Sequence, residues 1–286
     1  MKRFLACILI ASVSLPLLAQ TVVTLRPPES DSDKRSLYSN AVIKLALETT
    51  RPSHGDYHIE MSPKMNSGRS ILAASTGNHT NFIFKASYNS QLESNNLIYI
   101  PFPVDLGIVG YRVCFTAKQN LNRIASIETL EQLKELTHGQ GTKWGDVAIL
   151  RSHGFNVTEI ASYESLFKMV ALQRFDLFCR GASELLAEYE SHRHLENLAY
   201  DQTLSIVYPL PRFFYTNKHN HKAAKRILEG LQTAYKNGTL PALWSEYYGP
   251  SLEFVQLQKR RLFHLENPAL KNLDLDYSRY FYNPLR

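Results

Sequence analysis

Short apolar strands and one-sided helices alternate along this chain, and that alternation restricts its fold more than any other feature. Val22-Val23-Thr24-Leu25 reads as a strand. It stops at Arg26-Pro27-Pro28, because proline cannot donate to a ladder or sit inside a helix. Behind an N-cap at Asp33, the apolar residues Leu37, Ala41, Val42, Leu45 and Ala46 recur at three- and four-residue steps. That spacing predicts a helix packed on one face. Tyr57-His58-Ile59-Glu60-Met61 alternates as a second strand, 68–76 reads as a short helix, and Asn81-Phe82-Ile83-Phe84 as a third strand. Such a succession calls for a parallel sheet with helices on its faces.

The pattern then restarts. Ile108 to Ala117 is a long apolar strand, Ser126 to Leu133 a capped helix, and Gly139-Gln140-Gly141-Thr142 a glycine-rich loop. Helices are expected at 144–153, 163–172 and 183–190, around a strand at 175–179. Strands at 204–208 and 212–216 return toward the first half. Helices at 220–236 and 239–248 follow, the first stopped by Asn237-Gly238. Two α/β units without a polar linker predict a bilobed protein whose chain crosses twice, with ligands in the cleft at the carboxyl ends of strands.

Composition narrows the class further. Of 286 residues 44% are hydrophobic and 11% aromatic, enough for a sizeable core and too many for a disordered chain. A net charge of +6 calls for no nucleic-acid partner. Lys2 and Arg3 precede an apolar run from Phe4 to Leu18 that exits at Ala19. A basic start, a short apolar middle and a small-residue exit predict a cleavable signal peptide over 1–19 and a periplasmic destination. The run is shorter than the about 20 residues a spanning helix needs. Cleavage leaves Cys114 and Cys179, both in apolar strand-like runs. Buried free thiols are the commoner fate of such positions, and a disulfide between them stays open.

Four stretches carry a resemblance to a known family. They are Ile98-Tyr99-Ile100-Pro101-Phe102-Pro103 through Gly107; Ile127-Glu128-Thr129-Leu130-Glu131-Gln132-Leu133 followed by Gly141-Thr142; Tyr163-Glu164-Ser165-Leu166 through Arg174-Phe175-Asp176-Leu177; and Asn237-Gly238-Thr239-Leu240. In order and spacing the chain resembles the type 2 periplasmic solute-binding proteins, family 3, which includes polar amino-acid binders. The resemblance implies an α/β, two-lobed Venus-flytrap fold, each lobe a mixed or parallel sheet flanked by helices. Lobe 1 is expected at about 20–111 plus 207–286 and lobe 2 at 112–206. The implied activity is non-enzymatic and cofactor-free: a monomer closes on a small polar or anionic solute for an ABC-type importer. A periplasmic partner of a membrane sensor is the alternative, and a small-acid dehydratase-like enzyme on the same fold the third.

The ligand set that follows is Arg26, Ser87, Gly141, Thr142, Trp144, Arg180 and Glu184. Gly141-Thr142 precedes a helix, whose free N–H groups favour anions, and Trp144 offers an aromatic wall. Arg26 ends the first strand and Arg180 follows the strand at 175–179, where guanidinium groups can grip a carboxylate or phosphate. Glu184 stands at helical spacing from Arg180 as a pairing partner, or as the acid/base of the enzymatic alternative. The amino-acid clamp of the family is missing on both sides. Ser90 to Asn95 contains no arginine for an α-carboxylate, and Arg180-Gly181 replaces the aspartate that meets the α-ammonium. No nucleophile elbow, His-Glu-x-x-His or phosphate loop is present. The pairs His192/His194 and His219/His221 read as solvated surface, and Lys259-Arg260-Arg261 as a solvated helix face.

Overall fold

The computed structural model describes residues 20–31 and 33–284, so the expected signal segment 1–19 lies outside the described residues. In chain order the strands are β1 (Thr21–Leu25), β2 (Tyr57–Met61), β3 (Phe82–Ser87), β4 (Leu97–Ile100), β5 (Tyr111–Ala117), β6 (Thr137–Gly141), β7 (Asn156–Ile160), β8 (Phe178–Gly181), β9 (Leu198–Tyr200), β10 (Leu204–Val207), β11 (Arg212–Asn217) and β12 (Arg261–His264). They form two main sheets, and the expected two-lobed α/β fold is present.

The first sheet runs β2-β1-β3-β11-β4. β1 pairs in parallel with β2 and β3, as the strand–helix alternation requires, while β11 enters antiparallel between β3 and β4. Val23, Leu25 and Ile83 of this sheet share a core with Val42, Ile43, Ala46 and Leu47 of helix Arg35–Thr49 and Ile227 and Leu231 of helix His221–Lys236. Each such Val, Leu or Ile side chain contributes roughly 1.5–3 kcal/mol of burial. The buried stripe is rotated from the expected one: Val42 and Ala46 are buried, Ala41 and Leu45 are half-buried, Leu37 is 44% exposed, and Tyr38, Ile43 and Leu47 face the core instead.

The second sheet runs β12-β10-β5-β8, with β9 also paired to β5. The parallel pair β6-β7 joins it through a bridge between His138 and Leu177. Gly139 to Gly141, expected as loop, is therefore strand. Gly141 is required there because a Cβ would lie 2.2 Å from the Trp144 ring. The lobes meet where β5 begins and β10 ends. Tyr208 N–H donates to Gly110 O, and a Cβ on Gly110 would stand 2.3 Å from Tyr208 O.

Several expectations need correction. β12, expected with the first lobe, pairs in parallel with β10 and buries Phe263 in the second. The chain then returns to the first lobe, where Tyr280 packs on Phe102 and Tyr282 N–H donates to Leu106 O. Arg260 is buried rather than solvated, and donates to the carbonyls of Val255, Asp201 and Leu204. His192 is likewise buried, stacked on Phe167 at 3.6 Å with Nδ1 at Glu188 O and Nε2 at Glu164. His194, His219 and His221 are exposed.

Cys114 and Cys179 form a disulfide rather than two buried thiols. They lie directly opposite each other on antiparallel β5 and β8. Their carbonyls turn away from the pair, Cys114 O toward Asp201 N–H and Cys179 O toward the Gln140 side chain. This is a non-hydrogen-bonded position, where facing side chains come closest. Among the described residues no helix is long and apolar enough to cross a membrane, and no His, Cys, Asp or Glu cluster is arranged for a metal.

Candidate ligand cleft

A cleft of about 680 Å³ lies between the two sheets. The first lobe supplies Arg26 from the end of β1, Arg35 and Ser36 from the start of helix Arg35–Thr49, and Lys85 and Ser87 from β3. β11 adds Arg212. The second lobe supplies Arg112 from β5, Trp144 to Asp146 at the start of helix Gly145–Ser152, and Arg180 and Glu184 from β8 and the turn after it. Parallel strands end here, so β1 and β3 deliver their last side chains to one opening.

The walls are held by ion pairs. Arg180 donates from Nε and Nη2 to Glu188 at 2.7–3.0 Å, and its Nη2 lies 3.0 Å from Glu184 Oε2. Glu184 also accepts from the Gly181 N–H and from Arg212 Nη1 at 3.1 Å. Arg212 Nε lies 3.1 Å from Asp105, which accepts from Lys85 at 2.8 Å and from the Tyr248 hydroxyl at 3.1 Å. Arg112 pairs with Asp146 at 2.5 Å, and the same carboxylate accepts from the Tyr208 hydroxyl. These pairs fix the side chains more than they add stability, since desolvation offsets much of the attraction.

Burial raises and the surrounding cations lower the Glu184 pKa. Arg180, Arg212, Arg112 and Lys85 prevail, holding the carboxyl well below the usual range. A carboxylate so held cannot act as a general acid at neutral pH. Burial, aided by the Arg212 charge, lowers Lys85 to about 8 against the pull of Asp105. Burial and the Arg35 charge lower Arg26, with Glu29 and Asp33 opposing.

Arg26, Ser87, Trp144, Arg180 and Glu184 line this cleft, whereas Gly141 and Thr142 line a recess of about 80 Å³ beside it. The helix starts at Gly145, after Trp144, and Thr142 N–H donates to Ile160 O. The uncapped helical turn therefore begins three residues beyond Thr142. Trp144 forms a wall, its ring 4.6 Å from the Arg180 guanidinium carbon. Arg35, Ser36, Lys85, Arg112, Asp146 and Arg212 escape a reading of the sequence. Only the position of Arg112 and Arg212 at the two inter-lobe connections offered a signal.

The lobes touch across the opening. Ser30 Oγ donates to Glu164 at 2.6 Å, and the Arg35 guanidinium lies 3.8 Å from the Tyr163 ring centre. A Cβ on Gly145 would meet the Ser87 Cβ at 3.0 Å.

No protein-family model matches the chain, and no curated protein does. Solved structures do. An ancestral arginine-binding protein bound to arginine is 14% identical with a TM-score of 0.60, covering 81% of this chain and 100% of its own. A structure concerned with glutathione import in Gram-positive bacteria through GshT and the cystine ABC importer TcyBC of Streptococcus mutans is 16% identical with a TM-score of 0.58. It covers 81% of this chain and 96% of its own. A histidine kinase sensor domain with similarity to periplasmic binding proteins is 14% identical with a TM-score of 0.57, covering 80% and 96%. The chain shares their two-lobed fold.

Proposed function

We propose that this protein captures a small polar or anionic solute between its lobes, in the periplasm, and hands it to an ABC-type importer. The cleft supports this most directly: about 680 Å³, walled by both lobes and lined by several cations, it suits a solute that closure would enclose. The fold neighbours include proteins named for arginine binding and for glutathione import, which favours solute capture. Arg26, Ser87, Trp144 and the Arg180–Glu184 pair are the proposed contacts, with Gly141 and Thr142 at the rim. The internally paired Glu184 argues against the dehydratase-like alternative.

The neighbouring histidine kinase sensor domain favours a second reading, in which the closed protein signals to a membrane receptor. A thermal-shift screen of the purified protein against a small-solute library tests the shared core, because a ligand that binds only the folded state raises its melting temperature. A library without one stabilising solute refutes solute capture. Genes for a permease and an ATPase beside this one support import; a membrane kinase or cyclic-dinucleotide enzyme supports signalling.

A further inference from the structure

Most cations lining the cleft are already neutralised from within the chain. Arg35 binds Asp33 and Glu29, Lys85 binds Asp105, and Arg112 binds Asp146. Arg151 binds Glu159, Arg180 binds Glu188, and Arg212 is shared between Asp105 and Glu184. Two stand apart. Arg26 has only Glu29, at 3.5 Å, and that carboxylate is already held by Arg35 at 2.9 Å. Lys143, exposed on the opposite wall, makes no side-chain ion pair among the described residues, and only its backbone N–H reaches a carboxylate, Glu159 Oε2 at 3.4 Å, which Arg151 already holds.

Each has a polar companion. In the first-lobe wall Ser36 is 6% exposed, and its Oγ has no hydrogen-bond partner. A buried hydroxyl left unmatched costs roughly 1–3 kcal/mol, which a ligand oxygen would recover. Lys143 leads into the first turn of helix Gly145–Ser152, which carries no side-chain cap. It does so with a φ of +67°, a conformation unfavourable for a residue bearing a Cβ and often found at ligand clamps.

We propose that the solute carries two anionic groups, one received by Arg26 and Ser36 on the first lobe and the other by Lys143 on the second. This rests on the cleft being the solute site, as proposed above. Each lobe contributes one poorly compensated cation to the same opening. Like charges resist closure of the empty cleft, and a dianion between them favours the closed state. A zwitterionic amino acid would bring its ammonium into this positive field. Dicarboxylates and phosphomonoesters that also carry a carboxylate share the required chemistry.

Calorimetry on the purified protein separates the possibilities. The probes are dicarboxylates from succinate to pimelate, each with its monoamide, 3-phosphoglycerate with glycerate, and arginine and glutamine as zwitterions. A dicarboxylate or the phosphomonoester should bind at least tenfold tighter than its less charged counterpart, and more weakly as salt rises. Which of the two binds identifies the source of the charge. Arg26→Gln and Lys143→Gln should each remove that preference, while Lys118→Gln, on the surface, should not. Circular dichroism and the melting temperature of each ligand-free variant verify folding. Equal affinity for dianion and monoamide, or an unaffected Lys143→Gln, overturns the proposal. If arginine, glutamine or glycerate binds and no dianion does, the dianion class fails while solute capture stands. If no probe and no library solute binds, both fail.

Discussion

Arg212 and Glu184 join the two lobes across the cleft, Nη1 to Oε1 at 3.1 Å. Arg212 comes from β11 of the first sheet, and Glu184 from the turn after β8 of the second. Glu184 also faces Arg180, and Arg212 also faces Asp105, so the contact belongs to one chain of alternating charges. Removing one member leaves its partner partly buried and unmatched. Arg212→Gln should therefore cost roughly 2 kcal/mol in unfolding free energy and raise the ligand-free radius of gyration. Denaturant titration and small-angle scattering measure both. A variant as stable and as compact as the parent would show that this pair does not hold the lobes.

Arg180 is embedded more deeply than Arg26, so the two should fail differently. Arg180→Ala strips Glu184 and the buried Glu188 of their shared cation and should cost roughly 3–5 kcal/mol in the ligand-free protein. Arg26→Gln, with its single distant partner, should stay within about 0.5 kcal/mol of the parent. Urea unfolding of both variants side by side is the measurement, and equal losses would contradict this difference.

His138 should make the protein acid-sensitive. Its ring is fully buried and its Nε2 has no partner; burial lowers its pKa from 6.5 to about 4, with Asp176 opposing. The unfolded chain then binds the proton more readily than the folded one between those values, so stability falls as pH drops from about 6.5 to 4. The loss should approach about 3 kcal/mol. His138→Phe should flatten that part of the pH–stability curve, and an unchanged slope would assign the acid sensitivity to other groups.

The Cys114–Cys179 disulfide closes a loop with a sequence separation of 65 residues. On the chain-entropy model a loop of that size contributes about 4 kcal/mol. The double variant Cys114→Ala, Cys179→Ala should lose a large part of this, read as a lower urea midpoint. Because both residues are buried, alkylation should require denaturant as well as reductant. Alkylation of the native, unreduced protein at either position would contradict the pairing.

Periodicity carried the elements it could reach. Val42 and Ala46 of the first helix and the alternation in Tyr57–Met61 each place a side chain by local geometry, and four of the five strands of the first sheet, β1, β2, β3 and β11, were expected from it. β4, β6, β7, β9 and β12 were not anticipated; β4, β9 and β12 are only four, three and four residues long and take their ladder from distant strands. His192 and Arg260 read as surface because charge patterning carries no information about a carboxylate or carbonyl brought near by the fold.

The same division runs through the cleft. From the sequence come the two-lobed α/β plan and the arrival of Arg26 and Arg180 at the ends of strands, because those depend on local spacing. Only the tertiary structure decided which cations are already matched. The register of β5 on β8 placed Cys114 against Cys179. The approach of β11 to the turn after β8 placed Arg212 against Glu184. Charge matching acts over a few ångströms between residues far apart in sequence. It therefore exists only after the lobes have folded and met.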